Sequence, residues 1–415
     1  MCRIANEGKG SDLMRSRWAI FIVVYLSNVI ACLNQFKVPP VMGILMQEFH
    51  VNSTTAGWLM SIFALTGIIL AFPTAVILRR FGPQKSGMLA LGCTILGCVV
   101  GAIATNSPFL MTGRVIEGIG LSLLTVIAPV IISMHFKGNE IGLPMGILAT
   151  WYPVGSAIAY NISNPVTQAF GSWRGNWWVG VVLGLIAFVL FACVVRRPSD
   201  GETSNGHGGA SISYSEELKH PKIWLLGLTF LFVVMGRMGF LTWAPKYFAD
   251  AFGINPGIAN FTASLGFMWG APGGIIAGIV FKRIKNKNAL IVTCAILSAM
   301  TYTFGFIVPQ GIMFEYLAVT GLIMGFTAAT VWAMVPGVMT SPYFIGLGMS
   351  VIAIMQGLAN FLSPPFLGNF IAGNHWNEAV IPTAVIQIIG VIFAIAFVMV
   401  KSSNPSKTRE INSNN

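Results

Sequence analysis

The chain has 415 residues, 55% of them hydrophobic and 9% charged, with 24 Lys and Arg against 13 Asp and Glu for a formal net charge of +11. Soluble domains carry about 25% charged residues, and no soluble core of this size can bury so much apolar surface, so a water-soluble fold is excluded. Nucleic-acid binding is excluded as the source of the basic excess, because all but Lys37, Arg114, Arg174, Arg237 and Lys246 lie at the termini or in alternate connections between apolar runs, as the positive-inside rule requires of a multi-pass membrane protein.

Runs long enough to cross a bilayer, roughly 20 residues each, predict twelve helical spans at 18–48, 54–78, 84–104, 107–134, 140–168, 175–195, 222–252, 256–281, 288–308, 311–339, 343–372 and 378–400. The runs are continuous rather than alternating, which excludes a β-barrel and predicts an all-α polytopic fold. Twelve spans with the basic groups on one side place both termini in the cytoplasm, and the expected location is a bacterial inner membrane. No small-residue cleavage site follows the first run, so that span is expected to stay in the mature protein.

Span 1 carries "LNQFKVPPVM" at 33–42. Asn34 and Lys37 share a helical face at i, i+3, and Pro39 and Pro40 are expected to break the helix just beyond, freeing carbonyls. Two readings of Lys37 stay open: a cation facing a solute, or a side chain that snorkels outward past the bend. The second span closes on "LRRFGPQK" at 78–85. Span 4 contains "GRVIEGIG" at 113–120, where Arg114 and Glu117 are also i, i+3 and can pair locally. That pair is either a structural salt bridge or a coupling site in which Glu117 exchanges a proton. Span 5 opens on "WYPVGSAIAYN" at 151–161, with Trp151 and Tyr152 as candidate solute contacts.

Arg196 to His220 is the only long polar connection, rich in Gly and Ser. It reads as a cytoplasmic linker, dividing the chain into bundles at 1–195 and 221–415 around a linker at 196–220. In span 7, Arg237 lies about 22 Å of helix from either end, too far to snorkel. It either pairs with Glu117 or binds a solute. Lys246, near the end of that span, reads as an interface residue. "GAPGGIIAG" at 270–278 reads as close helix packing. Trp243 and Trp332 fall on inner helices, and Gln356 and Asn360 share one face of span 11 at i, i+4. The six cysteines show no metal or disulfide spacing and read as small packing residues, and the five histidines form no metal set. No cofactor is expected, and no catalytic constellation supports an enzyme.

The halves repeat. "IGLPMGILA" at 141–149 returns as "IGLGMSVIA" at 345–353, "LRRFG" at 78–82 as "FKRIK" at 281–285, and "EFHVN" at 48–52 as "AFGIN" at 251–255, at offsets of about 203. Parallel six-helix repeats are a transporter architecture, and the offset pairs Arg237 with Asn34.

Taken together, "GRVIEGIG" and "LRRFGPQK" resemble the fourth-span and second-loop patterns of the major facilitator superfamily, with Arg80, Gly82 and Lys85 matching in the loop. Ala75 stands where the family has glycine and Arg79 where it has aspartate, so the loop's gating role is not carried onto Arg79. Arg80 and Gly82 remain gating candidates, beside Arg114 and Glu117. The resemblance implies two pseudo-symmetric six-helix bundles, with a cavity lined by spans 1, 4, 7 and 10 and bordered by 2, 5, 8 and 11. Span 5 lacks the Gly-Pro pattern of drug antiporters, which argues against a drug or cation exporter.

Lys37 and Arg237 face a single deep acid, so the interior should attract anions, and arginine's planar fork suits a carboxylate. The expectation is a monomeric secondary transporter of a small organic anion, driven by proton symport or by exchange against another anion. The substrate contacts expected are Lys37, Arg237, Asn34, Tyr152, Trp151, Gln356 and Asn360. A carrier of a small inorganic anion such as cyanate or nitrate is the alternative.

Overall fold

The computed structural model describes residues 2–70, 73–136, 140–195, 220–340 and 344–400. The linker expected at 196–220 lies outside them apart from His220.

By contact the chain divides into two compact units, Met1–Ser204 with Asn255–Ser264, and Asn205–Ile254 with Leu265–Asn415. The short stretch 255–264 groups with the first unit, whose Asn161 donates to the Ser264 hydroxyl at 3.1 Å.

The first unit contains α1 (Cys2–Phe36), α2 (Met42–Glu48), α3 (Ser53–Leu70), α4 (Pro73–Ala102), α5 (Ser107–His135), α6 (Gly142–Leu148), α7 (Trp151–Phe170) and α8 (Arg174–Val194). Sequence places several boundaries. Asn106 caps α5 by accepting from the Phe109 amide at 2.9 Å, and Pro108 occupies the first turn, where a missing N–H costs nothing. Gly82 adopts φ 74°, ψ 169°, a region open only to glycine. It turns the chain inside α4, so that the motif 78–85 joins the end of span 2 to the start of span 3. Helix α5 is the hub of the unit, packed against α4, α3 and α1, while α8 lies on α4 and α1.

The second unit contains α9 (Pro221–Phe252), the last turn of α10 (Pro256–Met268), α11 (Gly270–Arg283), α12 (Lys287–Thr303), α13 (Met313–Val338), α14 (Ile345–Phe370) and α15 (Val380–Met399). Helix α9 is the hub here, packed against α14 and α15. The span predicted at 256–281 is found as one span at Pro256–Arg283, in which α10 and α11 meet at a turn at Trp269.

Packing repeats along with the sequence. A Cβ on Gly118 would lie 2.5 Å from the Phe63 carbonyl, and one on Gly321 would lie 3.1 Å from the Gly266 carbonyl. Both members of each pair are separated from their counterparts by 203 residues, so α3/α5 and α10/α13 cross at equivalent points.

Among the described residues, eleven helices are long and apolar enough to span a membrane, against the twelve expected. The helix that falls short is α7. Its 20 residues match a bilayer in length, but Asn161, Asn164, Gln168 and two tyrosines lower its hydropathy. The three most enclosed of the eleven are the ones that carry internal charges: 72% of the first span's apolar window is buried, 61% of the fourth's and 78% of the seventh's.

A close helix contact in the second unit supplies a test. A Cβ at Gly325 would lie 1.9 Å from the Gly270 carbonyl, whereas one at Gly278 meets nothing within 4 Å. Gly325→Ala is expected to destabilise by about 1–3 kcal/mol through overpacking. Gly278→Ala should be neutral or slightly stabilising in thermal unfolding of the detergent-solubilised protein.

Candidate functional site

Helix α1 ends at Phe36 because of the residues that follow. Pro39 and Pro40 carry no backbone N–H, and the chain passes through a 3-10 turn at Pro39–Val41 before helix resumes as α2. The last carbonyls of α1 are therefore left without helical donors. Arg114 of α5 supplies them. Its Nη1 donates to the Asn34 carbonyl at 2.5 Å and its Nη2 to the Gln35 carbonyl at 2.7 Å, while Nε donates to the Leu59 carbonyl of α3 at 3.1 Å. A guanidinium here also meets the negative end of the α1 dipole, and it lies 4.5 Å from the Phe63 ring.

Glu117, one turn along α5, divides its carboxylate between two cations. Oε2 accepts from Arg114 Nη1 at 2.5 Å and Oε1 from Lys37 Nζ at 2.8 Å, with all three side chains 0–1% exposed. Lys37 Nζ also donates to Asn34 Oδ1 at 2.9 Å, lies 3.4 Å from Cys98 Sγ, and sits 4.5 Å from the Trp177 ring. Cys98 in turn donates to Asn34 Oδ1 at 3.1 Å. Gly180 lets α8 approach this closely, since a Cβ there would fall 2.3 Å from Asn34 Oδ1. The cluster carries one net positive charge, and helix-end carbonyls, an amide and two aromatic faces surround it.

Four of the expected residues are thus brought together: Asn34, Lys37, Arg114 and Glu117. The local Arg114–Glu117 pair forms as the spacing allows. Lys37 is placed differently from either expectation. It neither snorkels outward nor stands as a separate cation, but is the second partner of Glu117. Sequence reasoning missed Cys98 and Trp177 as members of the cluster. The nearest signal was glycine spacing, with Gly97 and Gly101 flanking Cys98 where α4 meets α5 and α8.

In the second unit, Arg237 lies halfway along α9, 8% exposed, with its guanidinium 5.3 Å from the Phe267 ring. Because Lys37 and Arg114 occupy both oxygens of Glu117, that acid is engaged within the first unit. Gln356 and Asn360 are half-buried on α14. Trp243 is fully buried and donates to the Pro364 carbonyl of α14 at 3.0 Å, which makes it a packing anchor. Tyr152 packs edge-on against Phe36 and Trp151, and Trp151 lies against the first unit's core. Arg80 is exposed beside Phe81, and Gly82 forms the kink already described. Lys246 pairs with Asp250 one turn away.

Residues 24–364 match the family model described as Major Facilitator Superfamily. The chain is 23% identical to the hexuronate transporter of Bacillus subtilis (strain 168) over 375 residues, which cover 85% of this chain and 88% of that protein. It is 26% identical to protein spinster homolog 3 of Danio rerio over 248 residues, covering 57% of this chain and 49% of that one, so the chain spans about half the length of this relative. Two solved structures share the fold. A bacterial homolog to the human lysosomal transporter Spinster, inward-facing and unoccupied, superposes with a TM-score of 0.79 at 15% identity over 92% of this chain and 97% of that one. A point mutant of the nucleoside transporter NupG gives 0.75 at 11% identity over 91% of this chain and 99% of that one.

The shared carboxylate makes a graded prediction. Glu117→Gln leaves two buried cations on a neutral amide and is expected to cost about 3–5 kcal/mol. Lys37→Met removes the surplus charge while keeping the Arg114–Glu117 pair, and should cost much less. Combined with Glu117→Gln, it should recover part of the loss. Thermal midpoints in detergent check the order, and equal damage from the two single changes would show that charge does not hold the cluster.

Proposed function

The chain belongs to the major facilitator superfamily, and from that premise we propose that it moves a small organic anion, a carboxylate, across the membrane by alternating access. The observation that carries this reading is Arg237, a guanidinium enclosed at the middle of the seventh span. A cation at that depth is costly and is placed for function by default. Its planar fork meets a carboxylate with two parallel hydrogen bonds. Gln356 and Asn360, in the same unit, are proposed as neutral hydrogen-bond partners for the rest of the solute.

Similarity to a protein named hexuronate transporter supports a carboxylated solute and favours an organic anion over cyanate or nitrate. The basic connections support cytoplasmic termini, and we place the protein in a bacterial inner membrane. A transport gradient supplies the energy, through proton symport at Glu117 or exchange against a second anion. The Lys37–Glu117–Arg114 cluster is the proposed coupling element because it is the deep acid of the first unit and two cations depend on it.

A ligand that binds only the folded state raises its unfolding midpoint. Uronates, mono- and dicarboxylates, phosphate esters, inorganic anions, neutral sugars and organic cations are to be compared on the wild type and on Arg237→Gln. Carboxylates are expected to stabilise the wild type and to bind the variant at least about tenfold more weakly, consistent with loss of one charge-assisted hydrogen-bonded contact. Neutral sugars that stabilise both proteins as well as their acids do would sink the anion reading. Uptake into proteoliposomes, driven by a proton gradient or by preloaded anion, then separates symport from exchange.

A further inference from the structure

Helices α11 and α12 are joined by only three residues, 284–286, yet each packs along α13 and they scarcely touch each other. They form a fork. A cavity of about 250 Å³ lies within it, lined by Gly273 and Ile276 of α11, Cys294 and Leu297 of α12, and Leu322 and Phe326 of α13, among others. Its rim faces outward, for Ile276 is 47% exposed and Leu297 is 42% exposed. The one hydroxyl in the lining, on Thr327, already donates to the Ile323 carbonyl at 2.8 Å. Water would find too few partners there, and an empty apolar void forfeits the dispersion contacts of its walls. In a membrane the available filler is hydrocarbon.

The apex of the fork has the opposite character. Lys282, Arg283, Lys285 and Lys287 are all exposed there, and no acid occurs between Asp250 and Glu315. Ile276 is six residues from Lys282 and Cys294 is seven from Lys287, so the cavity begins about 10 Å of helix below these cations. Phosphate followed by acyl chain presents the same order of charge and hydrocarbon. Basic clusters beside gaps between membrane helices recognise anionic head groups.

We propose that this fork is a binding site for an anionic phospholipid, with its phosphate on the Lys282–Lys287 apex and one acyl chain in the cavity between α11, α12 and α13. The site is independent of the transported solute and does not rest on the reading of Arg237. It commits one patch of the lipid-facing surface to a particular head-group charge.

The test uses the full chain, delipidated in detergent and titrated with phosphatidylglycerol or with phosphatidylcholine of the same acyl chains. Thermal midpoint and retained lipid by native mass spectrometry are the readouts. Two variants accompany the wild type: K282Q/R283Q/K285Q/K287Q, which removes the apex charge, and Leu297→Trp, which fills the cavity mouth. Phosphatidylglycerol is expected to raise the wild-type midpoint where phosphatidylcholine does not, and each variant should bind it at least about tenfold more weakly. Where a variant is destabilised without lipid, the retained-lipid count carries the comparison. Four results would overturn the site: equal binding of phosphatidylcholine, undiminished phosphatidylglycerol on the charge variant, undiminished binding on Leu297→Trp, or the full shift from inorganic phosphate alone.

Discussion

One carboxylate shared by two cations at the broken end of a membrane helix organises the first unit. A charge in hydrocarbon must be paired or solvated, and here the pairing draws in five helices, α4 among them through Cys98. Arg114 donates to the Asn34 and Gln35 carbonyls at the end of α1, the second of which loses its helical donor to Pro39, and this binds α5 to α1. Its third bond ties in α3 through Leu59. Lys37, just past the break, reaches back to Glu117, and the ring of Trp177 on α8 covers its ammonium. The helix break, the charges and the close approach of α8 at Gly180 are therefore one design. A continuous α1 would satisfy its own carbonyls and leave Arg114 without two of its acceptors.

The second unit keeps the glycine crossing of this design and discards both its charge and its helix break, since α9 runs unbroken from Pro221 to Phe252. At the repeat offset, Lys37, Arg114 and Glu117 correspond to Phe240, Leu317 and Thr320. Phe240 instead lies in an aromatic group with Phe248, Phe306 and Tyr316. Glycine contacts at Gly118 and Gly321 survive in both units because helix separation depends on them. The polar contents are free to diverge, since any filling that satisfies its own hydrogen bonds is tolerated. Asn34 and Arg237 show the same divergence reversed: the first unit has an amide where the second has a cation. A duplicated scaffold thus carries its buried ion network in one half and its central arginine in the other.

How much of this could be read beforehand follows from the range of each interaction. Spans depend on local hydropathy, and the run pattern located most of them to within a few residues, the second and fifth excepted. The Arg114–Glu117 pair depends on helical spacing and was legible for the same reason. Lys37 and Glu117 are 80 residues apart, and nothing in either neighbourhood names the other as partner. Cys98 looked like packing because a thiol carries no spacing signal of its own, although it does pack and also meets Lys37 and Asn34. Helix α7 has the length of an ordinary span, but its three amides and two tyrosines lower its hydropathy below that of the other spans. The turn at Trp269 is announced by Pro272, whose missing N–H leaves the Met268 carbonyl without its helical donor. Trp243 was legible only as an aromatic on an inner helix, since its acceptor, the Pro364 carbonyl, lies 121 residues away.

The enclosure of the ion cluster within one unit constrains how it can take part in transport. Alternating access in such repeats proceeds largely by rocking of bundles as rigid bodies, and an ion pair whose members all belong to one body survives that motion unchanged. Lys37, Asn34, Cys98, Arg114 and Glu117 all belong to the first unit. On the transport reading, coupling through Glu117 therefore requires a change inside that unit. On that reading the change falls on the segment from Lys37 to Val41, where regular helix is interrupted and the prolines prevent the ladder from closing. Protonating Glu117 would release Lys37 from its strongest partner at the point where the backbone is least committed to one helix direction. Arg114, held by three carbonyls, would stay. The cluster is asymmetric in this respect: Arg114 is held by three backbone carbonyls as well as by Glu117, whereas the Lys37 ammonium meets the side chains of Glu117, Asn34 and Cys98.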